Sequence, residues 1–248
     1  MKAIIVAGGK GKRLRPVTDK LPKAMVKVAG RPILEHILNL LKNHGISEFI
    51  FSLCYLPQLI ISYFGNGTKF EVEIDYVFEK KDTPLGTAGA VLGAKKYIKD
   101  TFIVTYADIL RELDVHKMVS YHHRNGLIAT LAVYKNSSSN PKSIIEFDNN
   151  SRVTNFVERP KFRNKKGKPV WSNASFYVLE PEIFEFIPQN QKSDFGKDIF
   201  PKVIAAGGKV IAYKQKGYLF DIGDAKKLEK AKLFFTKNRG INNRMKND

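Results

Sequence analysis

The chain has 248 residues, 43% of them hydrophobic and 11% aromatic, which excludes a disordered protein and provides a sizeable core for one large or two small domains. The 42 Lys+Arg against 24 Asp+Glu give a formal net charge of +18, which points to anionic partners: nucleic acid, anionic lipid or phosphorylated small molecules. A single cysteine excludes an internal disulfide framework or a multi-cysteine zinc site, and no apolar run has the ~18 residues of a membrane span or follows Met1 as a leader, so a reducing, cytoplasmic setting away from the membrane is expected.

Residues 2–7 are a short apolar run rich in β-branched side chains, stopped by Gly8-Gly9, and suit a strand buried on both faces. Over 32–44, Ile33, Ile37, Leu40 and Leu41 fall on one helical face, with Gly45 as the stop. A second buried strand is expected over 49–55, a short helix over 58–64 ended by Gly65, and a strand over 72–78. Residues 86–98 read as a helix of small residues and 101–106 as a strand that leads to Asp108. This alternation predicts an α/β fold: a Rossmann-like, mostly parallel central sheet with helices on both faces.

The second half changes character. Segments 127–134, 143–147, 153–158, 176–179 and 210–213 are strand-like, helices are expected over 195–206 and 225–237, and Gly217 to Asp221 is a further extended piece. The expected organisation is one domain over 1–235, a nucleotide-binding half to about residue 126 elaborated by extra strands in the second half, then a frayed polar tail. Residues 136–140 and the Lys/Arg-rich 159–168 read as solvated loops. His122 and His123 are neighbours on a helical stretch and do not share a face, so no metal site is expected there, and His36 and His44 on the first helix read as structural. Cys54 reads as a buried, inert thiol and Asn66-Gly67-Thr68 as a turn.

The strongest local signal is Gly8-Gly9-Lys10-Gly11-Lys12-Arg13, directly after the first strand. Glycines there let backbone N–H groups approach a phosphate. The dinucleotide fingerprint fails because Leu14 stands where its third glycine belongs. The P-loop fails because Arg13, not Ser or Thr, follows Lys12. The glycines alone fit a tight strand exit as well as a phosphate cradle.

The surrounding residues add more. Arg13-Leu14-Arg15-Pro16, then Pro22-Lys23-Ala24, resemble the N-terminal signature of the nucleotide-sugar pyrophosphorylases (sugar-1-phosphate nucleotidyltransferases), G-x-G-T/S-R-x-x-P followed by P-K-P. Leu85-Gly86-Thr87-Ala88-Gly89, Val157-Glu158-Arg159-Pro160, Asn173-Ala174 and Phe220-Asp221-Ile222-Gly223 follow in the family's order, so the resemblance covers residues 1 to about 235. It implies transfer of a nucleotidyl group from an NTP to a sugar 1-phosphate, by in-line attack on the α-phosphate with release of pyrophosphate. Two polyanions must then be neutralised and aligned.

In that reading Arg13 offers a fork of donors to the β- and γ-phosphates, and Lys23 a point charge to the α-phosphate. Ala7, Gly8, Gly9, Gly11, Lys12, Leu85, Gly86 and Thr87 would contact the nucleotide. Asp108, at the end of its strand, and Asp221 would hold Mg²⁺ together with substrate phosphates. Glu158, Arg159 and Asn173 would bind the sugar phosphate. The chain departs from the family at Lys12 for Thr/Ser, Ala107 for Gly, Arg159 for Lys, Ser175 for Gly and Phe220 for Trp. The lost glycines are expected to narrow the pocket.

Tyr63-Phe64-Gly65-Asn66-Gly67, Leu85-Gly86-Thr87-Ala88-Gly89 and Phe195 to Pro201 most resemble the mannose-1-phosphate guanylyltransferase branch. Thymidylyl-, uridylyl- and cytidylyltransferases, including one with phosphocholine as acceptor, stay open, as does a silent regulatory subunit, which the retained Asp108 and Asp221 disfavour. The basic run 159–168 has Phe162 alone among its charges, so a nucleic-acid module with stacking aromatics is disfavoured too. No β-helical extension is expected after Phe235, and a homo-oligomer through another surface stays open. Lys2, Lys10, Lys12, Arg13, Arg15, Lys20, Lys23, Lys27 and Arg31 against Asp19 place some of the excess charge where substrate phosphates are expected, and the remainder, at 159–168 and in the tail, reads as surface solvation or substrate steering.

Overall fold

The computed structural model describes residues 1–79, 84–161 and 168–244. In chain order the first half contains β1 (Lys2–Val6), a hairpin of β2 (Lys27–Val28) and β3 (Arg31–Pro32), α1 (Ile33–Lys42), β4 (Glu48–Leu53), α2 (Pro57–Phe64), β5 (Glu73–Phe78), α3 (Gly86–Leu92), β6 (Phe102–Tyr106), β7 (Ile109–Arg111) and α4 (Val115–Asn125). The second half contains β8 (Ala129–Asn136), β9 (Ser143–Phe147), β10 (Val153–Glu158), β11 (Val170–Leu179), α5 (Phe200–Ala205), β12 (Val210–Lys214), β13 (Leu219–Asp221) and α6 (Ala225–Arg244).

One seven-stranded sheet in the order β12-β8-β11-β6-β1-β4-β5 spans both halves. Within it, β11 alone runs antiparallel to its neighbours, β6 and β8. The pairs β1–β4, β1–β6, β4–β5 and β12–β8 are parallel, so the expected mostly parallel sheet is present. Its central strands are apolar on both sides because both faces are covered. Ala3, Ile5, Phe49 and Phe51 pack with Leu34, Leu38 and Leu41 of α1, while Ile4, Ile50, Phe102 and Val104 pack with Ala88, Val91 and Phe200 on the other side.

Three small ladders, β2–β3, β7–β13 and β9–β10, lie outside the main sheet. The β7–β13 and β9–β10 ladders carry residues to the carboxyl edge, where β1 and β6 end and antiparallel β11 begins. Ligands of open α/β sheets bind at that edge. No helix among the described residues is long and apolar enough to cross a membrane.

Several elements differ from the sequence-based expectation. β11 starts at Val170 rather than 176, because a register shift between Asn173 and Tyr177 hides its first half from period-2 reading. The helix expected over 86–98 ends at Leu92 and resumes as a separate 3₁₀ turn at Lys95–Tyr97. The helix expected over 195–206 opens with a π-type turn, Phe195–Ile199, before α5. The last helix continues past Lys237 to Arg244, where a frayed tail was expected. Asn66 Oδ1 accepts from the Thr68 backbone N–H at 3.2 Å, consistent with the turn expected there.

Candidate active site

The glycine loop folds as it does because Gly11 adopts φ +61°, and a Cβ there would lie 3.0 Å from Thr18 Cγ2 and 3.1 Å from Lys23 Cβ. Gly11 thus draws the loop against the segment that carries Lys23, and the Thr18 hydroxyl donates to the Gly11 carbonyl at 2.8 Å. Ala7, Gly8 and Gly9 line a cleft of about 270 Å³ with Lys23, Gly86, Thr87 and Asp108. Glu79, Tyr106 and Asp194 complete it. Gly11, Lys12 and Leu85, expected at the nucleotide, do not line this cleft. Gly11 acts through Lys23, Lys12 is exposed, and the Leu85 carbonyl accepts from the Ser193 N–H at 2.8 Å.

The β7–β13 ladder brings Asp108 and Asp221 together. Ile109 pairs with Asp221, and the Ile222 N–H donates to the Asp108 carbonyl at 2.9 Å. Both aspartates line a second cavity of about 580 Å³, together with Arg13, Glu158, Arg159 and Asn173. Lys23 Nζ donates to Asp108 Oδ2 at 2.5 Å, Lys142 pairs with Asp221, and Lys227 Nζ lies 3.7 Å from the same Asp221 oxygen. Burial works against the Asp221 carboxylate, but Lys142, with Lys227 and Lys23, outweighs it and holds the pKa below the usual value. A Cβ on Gly223 would lie 3.1 Å from Arg13 Nη2 and 3.4 Å from Asp221 Oδ1, which places the Arg13 guanidinium beside that carboxylate.

Two carboxylates opening on one cavity suit a hard divalent cation whose other ligands are phosphate oxygens and water. No group of three or more His, Cys, Asp or Glu that could hold a metal is found among the described residues, so a cation between the two aspartates would need further ligands from outside the protein. Beneath the site, burial pushes the Arg111 guanidinium down to about 9; it donates to the Ser175 carbonyl at 3.3 Å and stacks over Phe176.

Glu158, Arg159 and Asn173 also line a third cavity of about 560 Å³, adjoining the second and reaching Asp194, Gly196 and Lys197. Gly196 stands where a Cβ would be 2.7 Å from Glu158 Oε2 and 2.8 Å from Phe156 Cε1, so a side chain would displace the acid. Asn173 Nδ2 donates to Tyr177 Oη at 2.7 Å, and its Oδ1 accepts from the Ser175 N–H at 2.8 Å. The amide is therefore oriented by the fold and keeps one N–H and one lone pair for a ligand.

Burial pushes Glu158 up to about 7, with Asp194 adding to the rise and Arg159 and Lys142 opposing it. Its folded pKa thus exceeds its unfolded value of 4.5, so its contribution to stability is complete below about 4.5 and is lost as pH rises through about 7. Glu158→Gln should therefore gain stability relative to the parent between pH 5 and 8, read as diverging denaturant midpoints. Parallel midpoints across that range would refute the buried-acid assignment.

Ser175 sits at φ +55°, a left-handed position that favours glycine. Ser175→Gly is expected to stabilise the protein by about 1 kcal/mol through relief of that strain, measured by urea unfolding. Ala107 carries no such strain; it is buried and lines the first cleft.

Three lining residues lacked any sequence signal. Asp194 accepts from both the N–H and the hydroxyl of Thr87 at 3.1 Å, joining the two halves of the chain at the site. Glu79 lines the first cleft with Oε1 buried and without a hydrogen-bond partner among the described residues, and burial raises its pKa against an opposing backbone hydrogen bond from Leu85. Lys142 precedes β9 with no local pattern to mark it. In the basic loop 159–168, residues 162–167 lie outside the described residues. His122 is buried, with its ring nitrogens on Thr130 and Glu180, while His36 contacts the Val28 carbonyl and His44 the Leu40 carbonyl. Cys54 is partly buried just beyond β4, with its Cβ against Gly8.

The family model described as nucleotidyl transferase matches residues 2–238. The chain is 33% identical over 235 residues to a UTP–glucose-1-phosphate uridylyltransferase of Synechocystis, covering 90% of this chain and 60% of that protein. It is 31% identical over 223 residues to a mannose-1-phosphate guanylyltransferase of Mycobacterium tuberculosis, covering 89% and 60%. It therefore spans about 60% of the length of these curated relatives. Among solved structures, HddC from Yersinia pseudotuberculosis, crystallised with GMP-PN, superposes with a TM-score of 0.78 at 28% identity, covering 94% of this chain and 99% of that one.

Proposed function

The chain belongs to the nucleotidyl transferase family, and from that premise we propose that it joins an NTP to a sugar 1-phosphate, giving NDP-sugar and pyrophosphate, with GTP and a mannose-type sugar 1-phosphate as the substrate pair. The observation that carries the reading is the β7–β13 ladder, which sets Asp108 and Asp221 in one cavity beside Arg13. The reaction needs that combination, because both reactants are polyanions and the displaced group leaves with two phosphates.

In this mechanism the backbone at Gly8 and Gly9 admits the nucleotide closely. Lys23, presented beside Asp108, neutralises the α-phosphate under attack. Arg13 collects charge on the departing pyrophosphate in the neighbourhood of Asp221. Arg159 steadies the acceptor phosphate, while Glu158 and Asn173 receive and give hydrogen bonds at the sugar hydroxyls. A magnesium ion held by Asp108 and Asp221 would supply charge neutralisation to the phosphates. The acceptor cavities are lined by polar and charged groups with Tyr106 and Tyr134 as their aromatics, a lining suited to a polyhydroxylated anion rather than to a quaternary ammonium group.

Glu79 supports guanine as the base. Guanine offers two adjacent donors, N1–H and the exocyclic N2–H₂, to the Glu79 carboxyl, whose Oε1 has no hydrogen-bond partner among the described residues. Uracil and thymine offer one N–H flanked by carbonyls, which repel it. Glu79→Gln is expected to lower kcat/KM for GTP by about 10², the scale of one charged hydrogen-bond pair, and to shift preference toward UTP or dTTP. An unchanged ranking of nucleotides in steady-state assays would remove Glu79 from base selection.

A further inference from the structure

Each carboxylate of the Asp108–Asp221 pair carries its own lysine, and the two lysines are held very differently. The Lys23 side chain on Asp108 is 12% exposed, whereas the Lys142 side chain on Asp221 is 54% exposed. The Lys142 carbonyl accepts from the Arg159 N–H at 2.8 Å, beside the Ser143–Glu158 pairing of β9 and β10. Two cations therefore leave adjacent strand ends into the cavity that also holds Arg13. On its other side Lys142 borders a recess of about 280 Å³ shared with Lys227 and Lys230. Its long, half-solvated side chain has room to move on both sides of Asp221, whose own side chain is 17% exposed.

Resting on the nucleotidyl-transfer reading above, we propose that Lys142 is a charge-exchange residue: its ammonium neutralises Asp221 in the empty cleft and moves to a phosphate oxygen of the sugar 1-phosphate when a divalent cation takes that carboxylate. Contact with Asp221 loses most of its value to the half-solvated Lys142 ammonium beside a divalent cation, because the carboxylate charge is then shared and like charges in a partly buried site repel. Lys227, already 3.7 Å from the same oxygen, adds to that repulsion. A displaced ammonium next to Arg159 needs an anion, and the acceptor's phosphate is the anion this cavity receives. Cation and acceptor then bind with positive coupling, each removing part of the cost of the other.

Lys142→Met keeps the apolar stem and removes the charge. Titration of Mn²⁺ into the substrate-free protein, followed by loss of the free-ion EPR signal, is expected to give about tenfold tighter binding in this variant, the scale of one charged hydrogen bond. KM for the sugar 1-phosphate should rise by about tenfold, with KM for GTP unchanged, and Lys142→Arg should keep both parental values. Unchanged Mn²⁺ affinity in Lys142→Met, or tighter Mn²⁺ binding without a change in acceptor KM, overturns the exchange. The titration requires no turnover, so such a result in an enzyme that releases pyrophosphate is distinct from failure of the transfer reading. Absence of pyrophosphate from the parent protein overturns both.

Discussion

Replacing Arg13 with alanine is expected to lower kcat by about 10²–10³, the usual loss for one partner of transition-state charge, with KM for the acceptor little changed. Arg13 is exposed, packs against Gly223 and stands beside Asp221 in the larger cavity. In the proposed mechanism its guanidinium gains most when negative charge accumulates on the departing pyrophosphate, so its removal is expected to act on kcat rather than on acceptor binding. Lysine at this position should recover only part of the loss, since a point charge cannot reproduce the planar fork of donors. Stopped-flow measurement of pyrophosphate release separates the chemical step from product departure. An unchanged rate of that step would remove Arg13 from the mechanism.

Asp108→Asn is expected to reduce kcat by a similar factor, about 10²–10³, and to weaken activation by Mg²⁺. The substitution removes a carboxylate suited to the cation and also releases Lys23, which that carboxylate holds at 2.5 Å. The fold should survive. The link from Asp108 to β13 runs through its backbone carbonyl, which the amide variant keeps, and its side chain is 32% exposed. Far-UV circular dichroism and the urea midpoint check that point, and activity titrated with Mg²⁺ and Mn²⁺ checks the role. Full activity at low Mg²⁺ with intact structure would sink the assignment of Asp108.

The parts of this molecule legible from sequence are those in which local pattern and burial coincide. β1, β4 and β6 announce themselves as short apolar runs because both faces of the sheet are covered, and α1 shows its apolar face through Ile33, Ile37 and Leu41. Periodicity reports burial, however, and not partnership. Nothing near Ile109 says that it will pair with Asp221, yet that ladder assembles the acidic pair. The insertion of antiparallel β11 between β6 and β8 is likewise a long-range choice.

The same limit applies within the site. Arg13, Lys23, Asp108, Glu158, Arg159, Asn173 and Asp221 could be named because each lies in a motif, and they line adjoining cavities. Glu79, Lys142 and Asp194 could not, since their importance comes from what the fold sets opposite them. Gly196 shows the point physically. It looks like any helix-start glycine, and its lack of a side chain matters only because β10 brings Glu158 and Phe156 against it.

The most direct test of the account is a grid of five nucleoside triphosphates against several sugar 1-phosphates, with Mg²⁺ present, read by pyrophosphate release and by mass of the product. Release is expected with sugar 1-phosphates, highest for GTP with mannose 1-phosphate, together with the matching GDP-sugar. Failure of every pair to release pyrophosphate would contradict it.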